Sequence, residues 1–185
     1  MGYLVGSVPF GIVLTRLTGA GDLRQIGSGN TGATNVLRTG RKGLAALTLL
    51  LDLLKGVVAV IVARAFWPGS EDLAAAAAVI GHCYPVWIGF RGGKGVATMM
   101  GVVTGLALVL GGIFALVWLV VLAITRISSL AGLSAALSAP LAALALGHVE
   151  YVPALAGIAL LVFWRHRENI ARLMRGEEPR VGARK

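Results

Sequence analysis

The stretch VATMMGVVTGLALVLGGIFALVWLVVLAIT, residues 96–125, runs for thirty residues without a charged side chain. A helix rises about 1.5 Å per residue, so about 20 apolar residues cross the ~30 Å hydrocarbon core of a bilayer. This run is too long for one span, and Gly111-Gly112 predicts a break that folds it into a hairpin of two short helices. Lipid is therefore the solvent to reason with. The whole chain agrees: of 185 residues, 57% are hydrophobic and 14% charged, with a mean hydropathy of +0.83. Soluble domains carry about a quarter charged residues. Residues 1–185 are expected to form a single all-α polytopic membrane domain.

Outward from that hairpin, the other spans fall into place. Upstream, Leu73 to Ile88 and Leu44 to Ala63 are apolar segments joined by the turn Trp67-Pro68-Gly69-Ser70. A first segment, Tyr3 to Leu17, is marginal in length, so it is expected to be kinked at Pro9, to sit in thinned bilayer, or to lack a few residues at its start. It passes straight into Pro9-Phe10-Gly11 and polar sequence without a small-residue cleavage site, so it reads as a retained span. Downstream, Leu130 to Leu146 and a segment ending at Trp164 complete a bundle of about seven short helices.

Charge orients the bundle. With the N-terminus outside, one side receives Arg16, Arg24, Arg38, Arg41, Lys42, Arg91, Lys94, Arg126 and the cations of the tail. The other receives Arg64 with Glu71, Asp72 and Glu150. The positive-inside rule puts the first set in the cytoplasm. Polar loops near 18–43, 89–96 and 126–129, and the tail 165–185, then share one face with a cytoplasmic C-terminus. The net charge of +9 is explained by this asymmetry and implies no nucleic-acid partner. A lone Cys83 and the absence of paired Cys or His-x-x-x-His spacing point to no metal site.

The cytoplasmic loops carry the chemistry. Gly27-x-Gly29-x-x-Gly32 copies the dinucleotide-binding string, but no strand precedes it and Asp52 lies inside an apolar span, so that reading fails. What remains is a loop rich in backbone N–H groups, with a helix expected to start near Ala33. Ser28, Asn30, Thr34 and Asn35 add neutral donors, and Arg38 follows with a fork-shaped cation. Arg91-Gly92-Gly93-Lys94-Gly95 is not a P-loop, lacking its first glycine and its hydroxyl residue. Gly93 and Gly95 would still let the backbone approach a phosphate beside Lys94. Asp52 and Lys55, three apart in a span, predict either an ion pair or a lysine leaning toward the first loop. His82 is expected to fill a kinked helix and bond a backbone carbonyl, and His148 to lie at the surface. His166, Asn169 and Arg172 share a helical face where the last span leaves the membrane.

The ordered set of Gly6-Ser7-Val8-Pro9-Phe10-Gly11, Ile26 through Arg38, Asp52-Leu53-Leu54-Lys55-Gly56, Gly81-His82-Cys83-Tyr84-Pro85, Gly92 through Thr98, and His166 through Leu173 with Gly176-Glu177-Glu178 resembles the bacterial acyl-phosphate:glycerol-3-phosphate acyltransferases of the PlsY type. The resemblance implies acyl transfer from acyl phosphate to the 1-hydroxyl of glycerol 3-phosphate at the bacterial inner membrane, with membrane lipid around it and no cofactor. It implies catalytic roles for His166, Asn169, Lys94 and Ser28. Phosphate and glycerol 3-phosphate contacts would come from Gly29, Asn30, Thr34, Asn35 and Arg38, with Ser128 or Ser129 as weaker members. Lys55, Gly93, Gly95 and Arg172 are further candidate substrate contacts from the reading of the residues themselves. A transporter for phosphate or a related anion is the alternative, suited by glycine-broken helices and clustered cations. It predicts sequence-related halves, and the first loop has no repeat in the second half.

Overall fold

The computed structural model describes residues 1–27 and 29–182, and among these it contains ten α-helices and no strand. They are α1 (Gly2–Gly6), α2 (Phe10–Leu17), α3 (Ala33–Leu37), α4 (Lys42–Phe66), α5 (Glu71–Cys83), α6 (Val96–Leu106), α7 (Leu108–Thr125), α8 (Ser128–Ala145), α9 (Val152–Arg165) and α10 (Arg167–Met174). By length and composition α4, α7 and α8 are able to cross a membrane, while Gly2–Leu17 and Val96–Leu106 are shorter apolar pieces. Large apolar side chains such as Leu108, Ile124 and Leu160 point outward and are well exposed. That is the surface of an integral membrane protein, whose outer atoms face hydrocarbon rather than water.

Small residues let the helices touch. A Cβ on Gly2 or Gly6 would lie 2.6 or 2.0 Å from the carbonyl oxygens of Ala74 and Ala78, so α1 lies directly on α5. On α4 and α6, a Cβ on Gly56 would meet Thr98 O at 2.4 Å and one on Gly101 would meet Leu53 O at 2.0 Å. Backbones that close gain dispersion contacts that lipid cannot supply. The Gly2-x-x-x-Gly6 face of α1 and the Gly101-x-x-x-Gly105 face of α6 are thus spent inside the bundle. Between the helices lies a core of Met99, Leu110, Phe114 and Leu155, filled in by alanines and valines.

Three expected boundaries move. The first span is two helices rather than one kinked one, because Pro9 has no N–H and constrains Val8 before it. α5 stops at Cys83 instead of Ile88, since Tyr84 precedes Pro85 and is pushed out of the helical region (φ −133°, ψ 60°). The hairpin breaks at Ala107 (φ −152°, ψ 129°) and not at Gly111-Gly112. Gly111 serves instead as the close-contact residue, for a Cβ there would lie 2.3 Å from Thr104 Oγ1 of α6. The break is held by Arg64, whose guanidinium donates to the carbonyls of Gly105 (2.9 Å) and Leu106 (3.2 Å). Those carbonyls end α6 and have no helical partner of their own.

Candidate active site

The glycine-rich loop is a folded unit. Leu23 and Val36 are fully buried against Ala45 of α4, which moors the loop to the bundle. Within it, the Asn35 amide donates to the carbonyls of Leu23 (3.0 Å), Ile26 (2.9 Å) and Asn30 (2.8 Å). Asn30 Oδ1 accepts from the Gly32 N–H at 2.9 Å, an Asx turn that sets up α3 at the expected Ala33. Gly27 and Gly29 have φ of +57° and +68°, conformations open to glycine at little cost. The Arg38 side chain lies across Gly27: a Cβ there would come within 2.8 Å of its Nη1. Ser28 lies outside the described residues.

From this loop the polar groups continue across elements distant in sequence. Thr34 Oγ1 lies 3.3 Å from Ser128 Oγ at the start of α8. The neighbouring Ser129 hydroxyl donates to Glu178 Oε1 at 2.7 Å. The same oxygen accepts from Asn169 Nδ2 at 2.5 Å, and Glu178 Oε2 accepts from Arg172 Nε at 2.7 Å. Asn169 Oδ1 in turn accepts from Lys94 Nζ. Four elements thus meet: the Lys94 loop, the α8 start, the α9–α10 junction and the tail. The tail is pinned a second time where Val181 N–H donates to Arg126 O at 2.7 Å.

Electrostatics at this junction favours a neutral imidazole beside cations. Burial, with the Lys94 charge adding to it, pushes His166 down to about 4, against the opposing pull of its bond to Val162. Its Nδ1 lies 2.8 Å from Val162 O, which only accepts, so Nδ1 carries the proton and Nε2 keeps its lone pair. Burial and the nearby Arg172 bring Lys94 down to about 8. Burial alone would push the Glu178 carboxyl up, but hydrogen bonds from Ser129, Asn169 and Arg172 hold it below its usual 4.5.

Of the residues singled out in the sequence, Lys94, His166, Asn169, Arg172, Ser129, Ser128 and Thr34 come together along this junction. Gly29, Asn30, Asn35 and Arg38 stay within the first loop. Lys55 is elsewhere, donating to Asp52 Oδ1 (2.6 Å) and Val8 O (2.8 Å) inside the bundle. His82 does not bond a carbonyl through its ring as expected; its Nδ1 faces Asp52 Oδ1 at 3.6 Å. The Gly93 N–H donates to His82 O, and Gly95 (φ +89°) caps α6 against Val79 and Cys83. Glu178 received no role from the sequence, because it reaches Ser129 across 49 residues. Arg165 was read only as a tail cation, yet it donates to Gly92 O (3.0 Å) and Gly93 O (3.1 Å) and stacks over Tyr84.

Amide, hydroxyl, lysine and arginine groups are thus gathered near a neutral histidine at one end of an apolar helical bundle. The chain belongs to the glycerol-3-phosphate acyltransferase family, whose model matches residues 1–176. Among its relatives is the glycerol-3-phosphate acyltransferase of Novosphingobium aromaticivorans, 66% identical over 185 residues, covering 100% of this chain and 94% of that one. Another, from Erythrobacter litoralis, is 59% identical over 182 residues, covering 98% and 92%. The fold is similar to that of PlsY, an integral membrane glycerol 3-phosphate acyltransferase solved in a glycerol 3-phosphate form. That likeness has a TM-score of 0.93 and 42% identity, over 98% of this chain and 92% of the other. A lysophosphatidic acid form of PlsY matches with a TM-score of 0.91 and 40% identity, again over 98% and 92%.

Proposed function

We propose that this protein transfers a fatty acyl group from acyl phosphate to the 1-hydroxyl of glycerol 3-phosphate, giving lysophosphatidic acid and phosphate. The observation that carries the reading is the junction at which Lys94, Asn169 and Arg172 are joined through Glu178, with His166 close enough to feel the charges of Lys94 and Glu178. The two PlsY forms name an acceptor and a product that differ by one acyl group, which fits the same reaction.

Acyl phosphate is a mixed anhydride with a good leaving group, so the protein's task is placement and charge stabilisation. The hydroxyl oxygen attacks the acyl carbonyl carbon, the bond from that carbon to the phosphate oxygen breaks, and phosphate leaves with the electron pair. Lys94 and Arg172 offset the charge of two phosphate-bearing substrates and Ser128 and Thr34 supply neutral donors, while Asn169 and Ser129, bonded to Glu178, hold the cations in place. Arg38, lying over Gly27, with Gly29 and Asn30 of the first loop, would add further contacts to phosphate. A neutral His166 Nε2 can receive the hydroxyl proton; the departing phosphate oxygen is the second acceptor of that proton. Lys55, in its buried pair, has no part in holding substrate.

The distribution of cations supports a cytoplasmic site in the bacterial inner membrane, with the N-terminus outside and the tail inside. The cytoplasmic polar segments would be those near 18–43, 89–96 and 126–129 with the tail. The test is direct: purified protein in detergent, given palmitoyl phosphate and glycerol 3-phosphate, should release phosphate and form lysophosphatidic acid. Folded protein that turns over neither, while passing phosphate into liposomes, would replace this reading with the transporter.

A further inference from the structure

Three ionisable side chains outside the substrate junction are buried together in the bundle: Asp52 is 2% exposed, Lys55 5% and His82 7%. Charge in such a place is costly and is kept where it does something. Asp52 Oδ1 joins the other two, with Lys55 Nζ at 2.6 Å and His82 Nδ1 at 3.6 Å. Lys55 is fixed at its far side by Val8 O, a carbonyl in the α1–α2 break that also accepts from the Phe10 N–H at 3.1 Å.

The other edge of the His82 ring faces Gly93. A Cβ added to Gly93 would lie 2.0 Å from His82 Nε2, so the ring and that backbone are already in contact. Every backbone polar group of Gly92 and Gly93 is then accounted for. Their N–H groups donate to Cys83 O and His82 O, each at 3.1 Å. Their carbonyls accept from Arg165. The two glycines have no N–H left for an anion. Gly93 provides room for the imidazole and Gly92 for the His82 carbonyl and Pro85, and the residue that follows them is Lys94.

We infer that His82, held by Asp52 and Lys55, is a positioning residue that sets the Gly92-Gly93 backbone and so aims the Lys94 ammonium at substrate phosphate. This rests on the acyltransferase reading above. Gly93 is required by the ring behind it rather than by a ligand in front. A misplacement of about 1 Å at a catalytic group costs on the order of a hundredfold in rate, which is the scale on which such a support would act.

The experiment is a double-mutant cycle on His82 and Gly93. His82→Ala should lower kcat/KM for glycerol 3-phosphate at least tenfold, chiefly through KM, with an unchanged elution profile in detergent and a preserved thermal transition. Gly93→Ala should fall similarly, by driving a methyl group into the ring. The double variant should be no worse than the poorer single one, because removing the ring removes the clash. Losses that multiply would overturn the inference, as would full activity in His82→Ala. If His82→Ala does not fold, Asp52→Asn takes its place: a raised KM supports the inference and an unchanged one sinks it. Lack of turnover in the unaltered protein would instead strike at the acyltransferase reading itself, so the two failures are separable.

Discussion

Glu178 Oε1 lies 2.5 Å from Asn169 Nδ2, and this one contact fixes which way the Asn169 amide points. With its nitrogen turned to the carboxylate, Asn169 presents its oxygen to Lys94. An acidic residue in the tail thereby orients a cationic one in a loop 84 positions earlier, since 178 − 94 = 84.

Removing that carboxylate should loosen both Asn169 and Arg172. Glu178→Ala is expected to lose tenfold or more in kcat/KM, on the scale of a displaced catalytic group, and Glu178→Gln to lose less. An alanine variant running at the parent rate would refute the arrangement. Because the folded carboxyl titrates below its usual 4.5, its stabilising contribution is complete above that value and is lost as pH falls through the lower folded one. Thermal melts across the acid range should therefore show a shallower pH dependence in Glu178→Gln.

Lys94→Ala and Arg38→Ala should each nearly abolish phosphate release while leaving the thermal transition in place. Arg38 is exposed and Lys94 lies in a loop, and neither belongs to the core. Near-normal rates in both variants would remove these two assignments.

The alkaline limb of the rate profile should belong to Lys94. Its ammonium titrates near about 8, so kcat/KM should fall as pH rises through that value. A bound phosphate favours the charged form, so the corresponding limb in kcat should sit higher. Lys94→Arg, which stays protonated, should lose the limb altogether; its persistence there would assign it to another group. His166, down at about 4, should leave no inflection between pH 5 and 7.

Asn35 should behave as a scaffold for the first loop. Its amide serves three carbonyls, and Asn35→Asp would turn an acceptor toward all of them. Each buried group left unpaired costs roughly 1–3 kcal/mol, so a lowered melting temperature should accompany the loss of activity. A variant that loses activity at unchanged stability would point to direct substrate contact instead.

Much of the fold is legible in the sequence because lipid imposes simple rules. Apolar runs located α4 and α7–α9, Pro9 located the first break, and glycine with Asx chemistry located the start of α3. The hairpin was placed four residues too late, at Gly111 instead of Ala107, because its break is secured by Arg64, 41 residues upstream of Gly105. No local pattern reports such a partner. The site was legible where its residues share one helix or loop, as with His166, Asn169 and Arg172. It was not legible where a single charge crosses the fold: Glu178 to Ser129, Arg165 to Gly92, His82 to Asp52. Those contacts depend on how the helices are stacked.

The shortness of α6 sets how deep the chemistry lies. Its 11 residues rise only about 16 Å, and it starts alongside the middle of α4, where Thr98 meets Gly56. Lys94 is thus sunk well below Lys42, the charged first residue of α4. An acyl donor anchored in the leaflet would not need to be hauled upward into water to react. On the acyltransferase reading, its small soluble partner would make the journey instead, descending to the fixed charges beside Lys94.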